Sequence, residues 1–297
     1  MSGYLAQQIL NGLILGSMYA LVAIGFSMIY GMVRLINFAH GDVAMIGAFT
    51  AFALIGYTGL PLWAVLLAAM AAGALMGVAI ELTAFRPLRG APQVNGFITS
   101  LGVSILIQNA GILLLSAQPR PFNLPGGLRG QVDLGFARAS MLDLAILLVS
   151  VLLMAGLTVF VGRSRLGMAM RATAENPDVA RLMGIAIDRV VLAAFVIGGG
   201  LAGLAGLMWG GRYGQIDPLL GFVPGLKAFV AAVIGGVGSV PGAMLGGYLL
   251  GMAEVLFVGL LPPQYASFRD AFVFALLILI LLVLPNGLLG RPEEERA

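Results

Sequence analysis

The sequence contains no cysteine and a single histidine, His40. That removes disulfide frameworks and leaves no ligand set for structural zinc, haem or iron–sulfur centres, so no cofactor is expected in this chain. Charge is equally scarce. Asp, Glu, Lys and Arg make up 10% of the 297 residues, against about 25% in a typical soluble domain. With 60% hydrophobic residues, such a chain cannot cover its own surface with water-compatible groups, and a large soluble domain is excluded. No Gly-x-x-x-x-Gly-Lys-Ser/Thr phosphate loop occurs, and no serine sits in a Gly-x-Ser-x-Gly elbow. The chain is therefore not expected to bind ATP itself or to act as an enzyme. Lysine is nearly absent: all but Lys227 of the 16 basic residues are arginine, set between apolar blocks. Their meaning is topology rather than an anionic partner, and nucleic-acid binding has no footprint. Residues 1–33 carry no charge at all. They lack the basic region of a signal peptide, and their apolar run is too long for one, so they read as a retained first helix.

What the sequence does have is long apolar runs. Nine blocks occupy residues 9–33, 43–60, 62–80, 94–116, 144–161, 190–211, 219–238, 240–261 and 271–289. A spanning helix needs about 20 apolar residues, and continuous blocks exclude a membrane barrel, whose strands alternate. The expected fold is all-α, a polytopic membrane helix bundle of eight or nine spans forming a single domain over the whole chain. Two blocks are doubtful as simple spans: 43–60 is short, and 219–238 holds Pro224, Lys227 and the cluster Gly235, Gly236, Gly238. Either fits a broken or re-entrant helix, which a membrane tolerates where protein or water surrounds it.

Arginine sets the expected orientation, because short cytoplasmic loops collect Lys and Arg. The loop 162–189 carries Arg163, Arg165, Arg171, Arg181 and Arg189 and is placed inside. Alternation of nine spans then puts the N-terminus outside and the C-terminus inside. Arg34, Arg86, Arg89, Arg291 and Arg296 join the inner set; Arg120, Arg129, Arg138, Arg212 and Arg269 fall outside. Glycine at small-residue spacing, as in Gly12/Gly16, Gly199/Gly203 and Gly247/Gly251, lets helix backbones approach closely in lipid. Glycine-interrupted segments around residues 40–47 and 235–242 suggest a faint internal repeat.

The inner loop is too organised for a connector. Asn176 suits an N-cap, Pro177 the first helical position, Asp178 the positive end of the dipole, and Gly184 a left-handed residue after the last turn. A helix of two turns is marginal in water, so it persists only by packing, and Val179, Leu182 and Met183 supply an apolar face. That face suits a cytoplasmic partner or the membrane surface.

Ala172, Ala174, Glu175, Asn176, Ala180 and Gly184 resemble the coupling loop of permease subunits of bacterial ABC importers. The string Leu35-Ile-Asn-Phe-Ala-His-Gly-Asp42 narrows the resemblance. With Met45-Ile-Gly47, Phe195-Val-Ile-Gly-Gly-Gly200, Gly225-Leu-Lys-Ala-Phe229, Gly235-Gly-Val-Gly-Ser-Val-Pro-Gly-Ala243 and Gly287-Leu-Leu-Gly-Arg-Pro292, it is similar to H-type permeases of high-affinity branched-chain amino acid import systems, over essentially the whole chain. Urea and short-chain amide permeases share the Asn-x-Ala-His-Gly-type string. The resemblance implies a subunit of the bacterial inner membrane that pairs with a second, M-type permease and binds two cytoplasmic ATPase subunits, where ATP and Mg would be used. It also implies a periplasmic amino-acid-binding protein, for which the outer loop 117–143 is the expected dock. The segment 172–184 would then couple to the ATPase.

Polar groups inside apolar blocks are expensive in lipid and mark either the pathway or interhelical hydrogen bonds. Ser100, Ser104 and Gln108 follow Gly96 at i, i+4 spacing and share one helix face. Asn11, Ser17 and Tyr19 stand in the first block. Asn37, His40 and Asp42 precede a short block and suit the start of a half-helix facing the pathway, or simple helix-end bonding. Lys227 and Glu254 are charges within blocks and read as an intramembrane pair; Glu81, before Arg86, reads as an interfacial one. The competing class is an ion-gradient-driven amino acid carrier using Glu81 or Glu254, against which the coupling-type loop argues.

Overall fold

A computed structural model describes residues 2–124, 126–128 and 130–290; Arg129, Arg291, Pro292 and Arg296 lie outside them. Among the described residues, eight helical segments are long and apolar enough to cross a membrane. The helices are α1 (Ser2–Val33), α2 (Ala39–Tyr57), α3 (Leu62–Ile80), α4 (Gln93–Leu115), α5 (Met141–Arg163), α6 (Arg165–Glu175), α7 (Pro177–Leu182), α8 (Ile187–Tyr213), α9 (Phe222–Gly235), α10 (Val240–Leu260) and α11 (Arg269–Val283). Four short strands stitch the connections: β1 (Arg120–Pro121) pairs antiparallel with β4 (Gln215–Ile216), and β2 (Gln131–Asp133) with β3 (Arg138–Ser140). They do not change the all-α class.

Two helices form the centre. α1 is buried on every side from Ile14 to Ile29, and α8 from Gly198 to Met208, as expected of helices apolar all round. Around them α4, α5 and α11 keep open apolar faces, including Leu113, Leu114, Leu152 and Leu282, which suit lipid. Contacts fix the two ends of the bundle. At one end, Tyr4 donates to Gly259 O and Gln7 to Arg138 O, beside both strand pairs, and Arg212 pairs with Asp143. At the other, Gly31 lies against Gly238, Arg89 pairs with Asp188, and Leu288 N donates to Ile234 O. The start of α1 and the end of α11 thus lie at opposite ends. The second end collects Arg34, Arg86, Arg89, Arg163, Arg165, Arg171, Arg181 and Arg189, and is called the arginine end below; the first is the hairpin end. Arg269 departs from the sequence reading: it is drawn into an ion-pair network rather than standing in an outer loop.

Of the two doubtful blocks, 43–60 lies largely in an unbroken helix of 19 residues that is long enough to span, and only 219–238 yields a short one; both helices begin within the bundle. After Val33 the chain turns back through residues 34–38, with Arg34 at φ 57°, and α2 starts beside Gly25 and Gly198, which flank the His40 ring. Gly25 lies about 12 Å along α1 from Val33 at 1.5 Å per residue. α9 has only 14 residues, too few to span. It starts where Gly221 and Gly225 press on Gly41 of α2 and runs to the arginine end. The starts of α2 and of the half-helix α9 therefore meet inside the molecule.

The glycine contacts show a repeat. α3 lies on α8 through Gly73 on Gly199 and Gly203, and Gly77 on Phe195 and Gly199; α10 lies on α1 through Gly247 on Ala20, and Gly251 on Gly16 and Gly12. Because α1 and α8 run in opposite directions, α1–α4 and α8–α11 are inverted copies, with α2 matching α9. The sequence reading put the second copy of the residue 40–47 break at 235–242. It lies instead at Gly221 and Gly225, and Gly235–Gly242 is the tight turn between α9 and α10 at the arginine end.

Candidate functional site

The polar candidates fall into four places. At the start of α2, Asn37, His40 and Asp42 are all buried. Asp42 is held by α4: the Ser104 hydroxyl and the Gln108 amide both donate to its carboxylate, the latter at 3.0 Å. The i, i+4 row of α4 thus packs on α2, with Gly96 against Leu35 and Gly111 against Met45 and Pro218, while Ser100 bonds back to Phe97 O. Both polar atoms of the Asn37 amide, and Nε2 of His40, have no hydrogen-bond partner among the described residues. Buried polar atoms in native proteins are nearly always paired, so these three ask for a partner.

A second group sits on α1. Asn11 accepts from Gln7 at 3.3 Å, and Ser17 donates to Leu13 O and accepts from the Tyr248 hydroxyl at 3.3 Å. Both are satisfied by local packing.

The third place is the charge pair that the apolar blocks foreshadowed. Lys227 Nζ lies 2.9 Å from Glu254 Oε1, with both side chains almost wholly buried. Tyr19, at the middle of α1, donates its hydroxyl to Glu254 Oε2 at 2.9 Å. Two residues missed by the sequence reading complete the group. Asp270 lies 2.7 Å from Lys227, and Arg269 3.1 Å from Glu254. They stand at the boundary of an apolar block, where charge reads as loop, so only the paired sign of Arg269-Asp270 hinted at them.

The fourth place is the connector at the arginine end. Ser164 caps α6 by accepting from Gly167 N. Asn176 caps α7, its Oδ1 accepting from Asp178 N at 3.1 Å and Val179 N at 3.2 Å, with Pro177 in the first turn. Gly184, at φ 81°, closes α7: its N–H bonds Arg181 O, and Ile185 N bonds Ala180 O, a double bond pattern that satisfies the last carbonyls. Ala172, Ala174 and Glu175 belong to the end of α6. Ala180 is buried inward, whereas Val179, Leu182 and Met183 are exposed, Leu182 at 86%. The apolar face is not folded back onto this chain. Asn176→Ala should cost about 0.5–2 kcal/mol of local stability. Amide hydrogen exchange at residues 178–182 would then run several-fold faster with the rest of the bundle unchanged; equal exchange would dismiss the cap.

Beside this connector, the helix α3 continues through a π-helical turn (Glu81–Phe85) and a 3-10 turn (Arg86–Leu88). Glu81 pairs with Arg89 rather than Arg86, and Arg86 reaches Asp188 at 3.4 Å. Arg89 also pairs with Asp188, tying the end of α3 to the start of α8.

Among the described residues no group of three or more His, Asp or Glu could hold a metal. Eight segments long enough to span, a short helix starting inside the bundle against α2, and a capped helix offered outward between spans are the parts of a membrane transport subunit. The chain belongs to the family of permease components of branched-chain amino acid transport systems, whose model matches residues 8–281. It is 45% identical over 303 residues to the high-affinity branched-chain amino acid transport system permease protein BraD of Pseudomonas aeruginosa, covering 98% of this chain and 97% of that one. It is 44% identical to LivH of Escherichia coli K12 over 99% of this chain and 98% of that protein. A probable LivH of Methanocaldococcus jannaschii is 29% identical over 96% of this chain and 92% of that protein. No solved structure matches significantly. The chain is thus the permease component of a branched-chain amino acid ABC import system, a multi-pass inner-membrane bundle.

Proposed function

We propose that this chain, paired with a second M-type permease, carries leucine, isoleucine and valine inward, driven by two ATPase subunits at its arginine end and fed by a binding protein at its hairpin end. The observation that carries the reading is α7. It is capped at both ends and tied to α8 through a short turn, yet its apolar residues face outward. Burying Leu182 and Met183 in a cleft of an ATPase gives a six-residue helix the packing it needs and lets nucleotide-driven closure act on α5 and α8, the spans at either side. Such a bundle is a bistable device biased by an external motor. The arginine distribution supports a cytoplasmic arginine end, with the start of α1 periplasmic and the end of α11 cytoplasmic.

For the pathway, the junction of the α2 and α9 starts supplies polar backbone ends, and the unpartnered Asn37 and His40 atoms lie there. Asp42, Ser104 and Gln108 hold α2 in place beside it. A path that binds weakly suits an importer whose affinity resides in the binding protein.

The test is uptake of radiolabelled leucine, urea and acetamide by proteoliposomes containing the full importer, with and without ATP at the ATPase face. ATP-dependent leucine uptake is expected. Uptake of urea or acetamide alone would move the substrate, and uptake driven by an ion gradient without ATP would overturn the coupling role of α7. In the same vesicles, replacing Leu182 and Met183 together by aspartate should lower leucine uptake by at least about tenfold, equivalent to roughly 1.4 kcal/mol of coupling. Unchanged uptake would remove these residues from the ATPase contact.

A further inference from the structure

Four charged side chains converge where α9, α10 and α11 meet the middle of α1. Two of them, Lys227 and Glu254, are nearly inaccessible and already satisfy each other at 2.9 Å. A buried ion pair needs no more than that to be neutral. Yet Arg269 and Asp270 are added on the open side, 47% and 50% exposed, each held from behind by the opposite charge: Arg269 by Glu254 at 3.1 Å, Asp270 by Lys227 at 2.7 Å. Between themselves the two outer groups touch only at 3.5 Å. These ion pairs engage only Nε of the guanidinium and Oδ1 of the carboxylate.

Depth makes this exposure informative. Glu254 accepts from Tyr19 at the centre of α1, and Asp270 begins the helix that runs down to the arginine end. A half-exposed arginine and aspartate at such depth do not face hydrocarbon; intramembrane charges turn to a bundle interior, a partner or water. The open side presents one positive and one negative group side by side. Beside them on the same two helices, Phe257 and Phe272 stack with ring centroids 4.0 Å apart, an apolar surface adjoining the charges.

We propose that Arg269 and Asp270 form a subsite for the zwitterionic head of an amino acid in transit, with Phe257 and Phe272 beside its aliphatic side chain. The inference rests on the reading of the chain as an amino acid importer subunit. The planar guanidinium fork matches a carboxylate, and the free carboxylate oxygen of Asp270 accepts from the α-ammonium. Entry exchanges the 3.5 Å contact for two charge-assisted ones, while Lys227 and Glu254 keep both outer groups oriented. The incoming molecule has no net charge, so the cluster stays neutral when filled and when empty. A cationic or anionic solute would leave one outer group facing a like charge.

The experiment uses the complete importer in proteoliposomes and a diazirine-bearing leucine analogue, photolysed during ATP-driven uptake. The label is expected within residues 254–272, displaced by unlabelled leucine. Arg269→Gln and Asp270→Asn are each expected to lower both labelling and leucine uptake at least tenfold, with ATP hydrolysis and complex mass retained and with uptake partly restored in Arg269→Lys and Asp270→Glu. Label confined to other segments, or full uptake in both neutral variants, overturns the subsite. Variants that fall out of the complex would assign the pair to the contact with the second permease and overturn it too, unless the label on the unmodified chain lies at 254–272, which decides for the subsite. Failure of the unmodified importer to take up leucine with ATP would instead refute the importer reading itself.

Discussion

Replacing Gly206 by valine is expected to make the bundle melt well below the unmodified chain. A Cβ built on Gly206 lands on the backbone carbonyl of Ala44, with the Ala44 Cα only 2.9 Å away. The obstacle is main chain, so no rotamer change relieves it and α2 must move off α8. Overpacking a core costs about 1–3 kcal/mol when side chains can shift; separating two helices should reach or pass the upper figure. For a chain of this size that corresponds to a melting temperature lower by at least about 6 °C. The same displacement would move Gly47 off Gly203 and disturb the α2 start, where Gly41 meets Gly221 and Gly225. Gly102→Val and Gly156→Val are the controls. Nothing lies within 4 Å of a Cβ at either position, and valine is the better helix residue there. Thermal melting in detergent, followed by size-exclusion chromatography, compares all three. If Gly206→Val melts with its controls, the close α2–α8 approach is wrong.

That comparison also separates what sequence can and cannot show. The apolar runs announced the spans because lipid demands length and continuity, and the caps of α7 were legible because capping is a local bond between residues three apart. The weakness of block 219–238 was visible in Pro224, Lys227 and its glycines, and α9 is indeed a short half-helix. Its partner was not visible. Small-residue spacing marks a helix that can be approached closely, but Gly12, Gly47, Gly199 and Gly247 carry the same mark, and nothing in the order of residues says that Gly41 meets Gly225 while Gly73 meets Gly199. Hence the repeat was sensed, yet its second break was assigned to residues 235–242. The site shows the same divide. Lys227 and Glu254 stood out because each interrupts an apolar run; Arg269 and Asp270, at the edge of one, took the appearance of a loop. Ser104 and Gln108 share a face by periodicity alone, whereas the carboxylate they hold, Asp42, lies on another helix and had to be found in space.

Lys227→Met removes a cation that stands 2.9 Å from Glu254 and 2.7 Å from Asp270, with its Nζ 5.9 Å from the Tyr19 ring centre. Methionine fills much the same space, so the loss is chiefly electrostatic. Glu254 keeps Arg269 and the Tyr19 hydroxyl, but Arg269 must then answer two carboxylates, and one negative charge is left uncompensated in the protein interior. Breaking a buried pair from one side costs about 3–5 kcal/mol, whereas replacing both members by neutral groups can be nearly free. Lys227→Met combined with Glu254→Gln should therefore be more stable than Lys227→Met alone, because Arg269 and Asp270 remain as a neutral pair. The sign of that difference is the informative quantity, since side chains that merely filled space would destabilise additively. Melting the single and double variants in one detergent measures it. A double variant less stable than the lysine variant would mean that Lys227 and Glu254 are not charge partners. Recovery in the double variant would instead show that charge balance, rather than the two side chains themselves, holds α9, α10 and α11 together at the depth where Arg269 and Asp270 open outward.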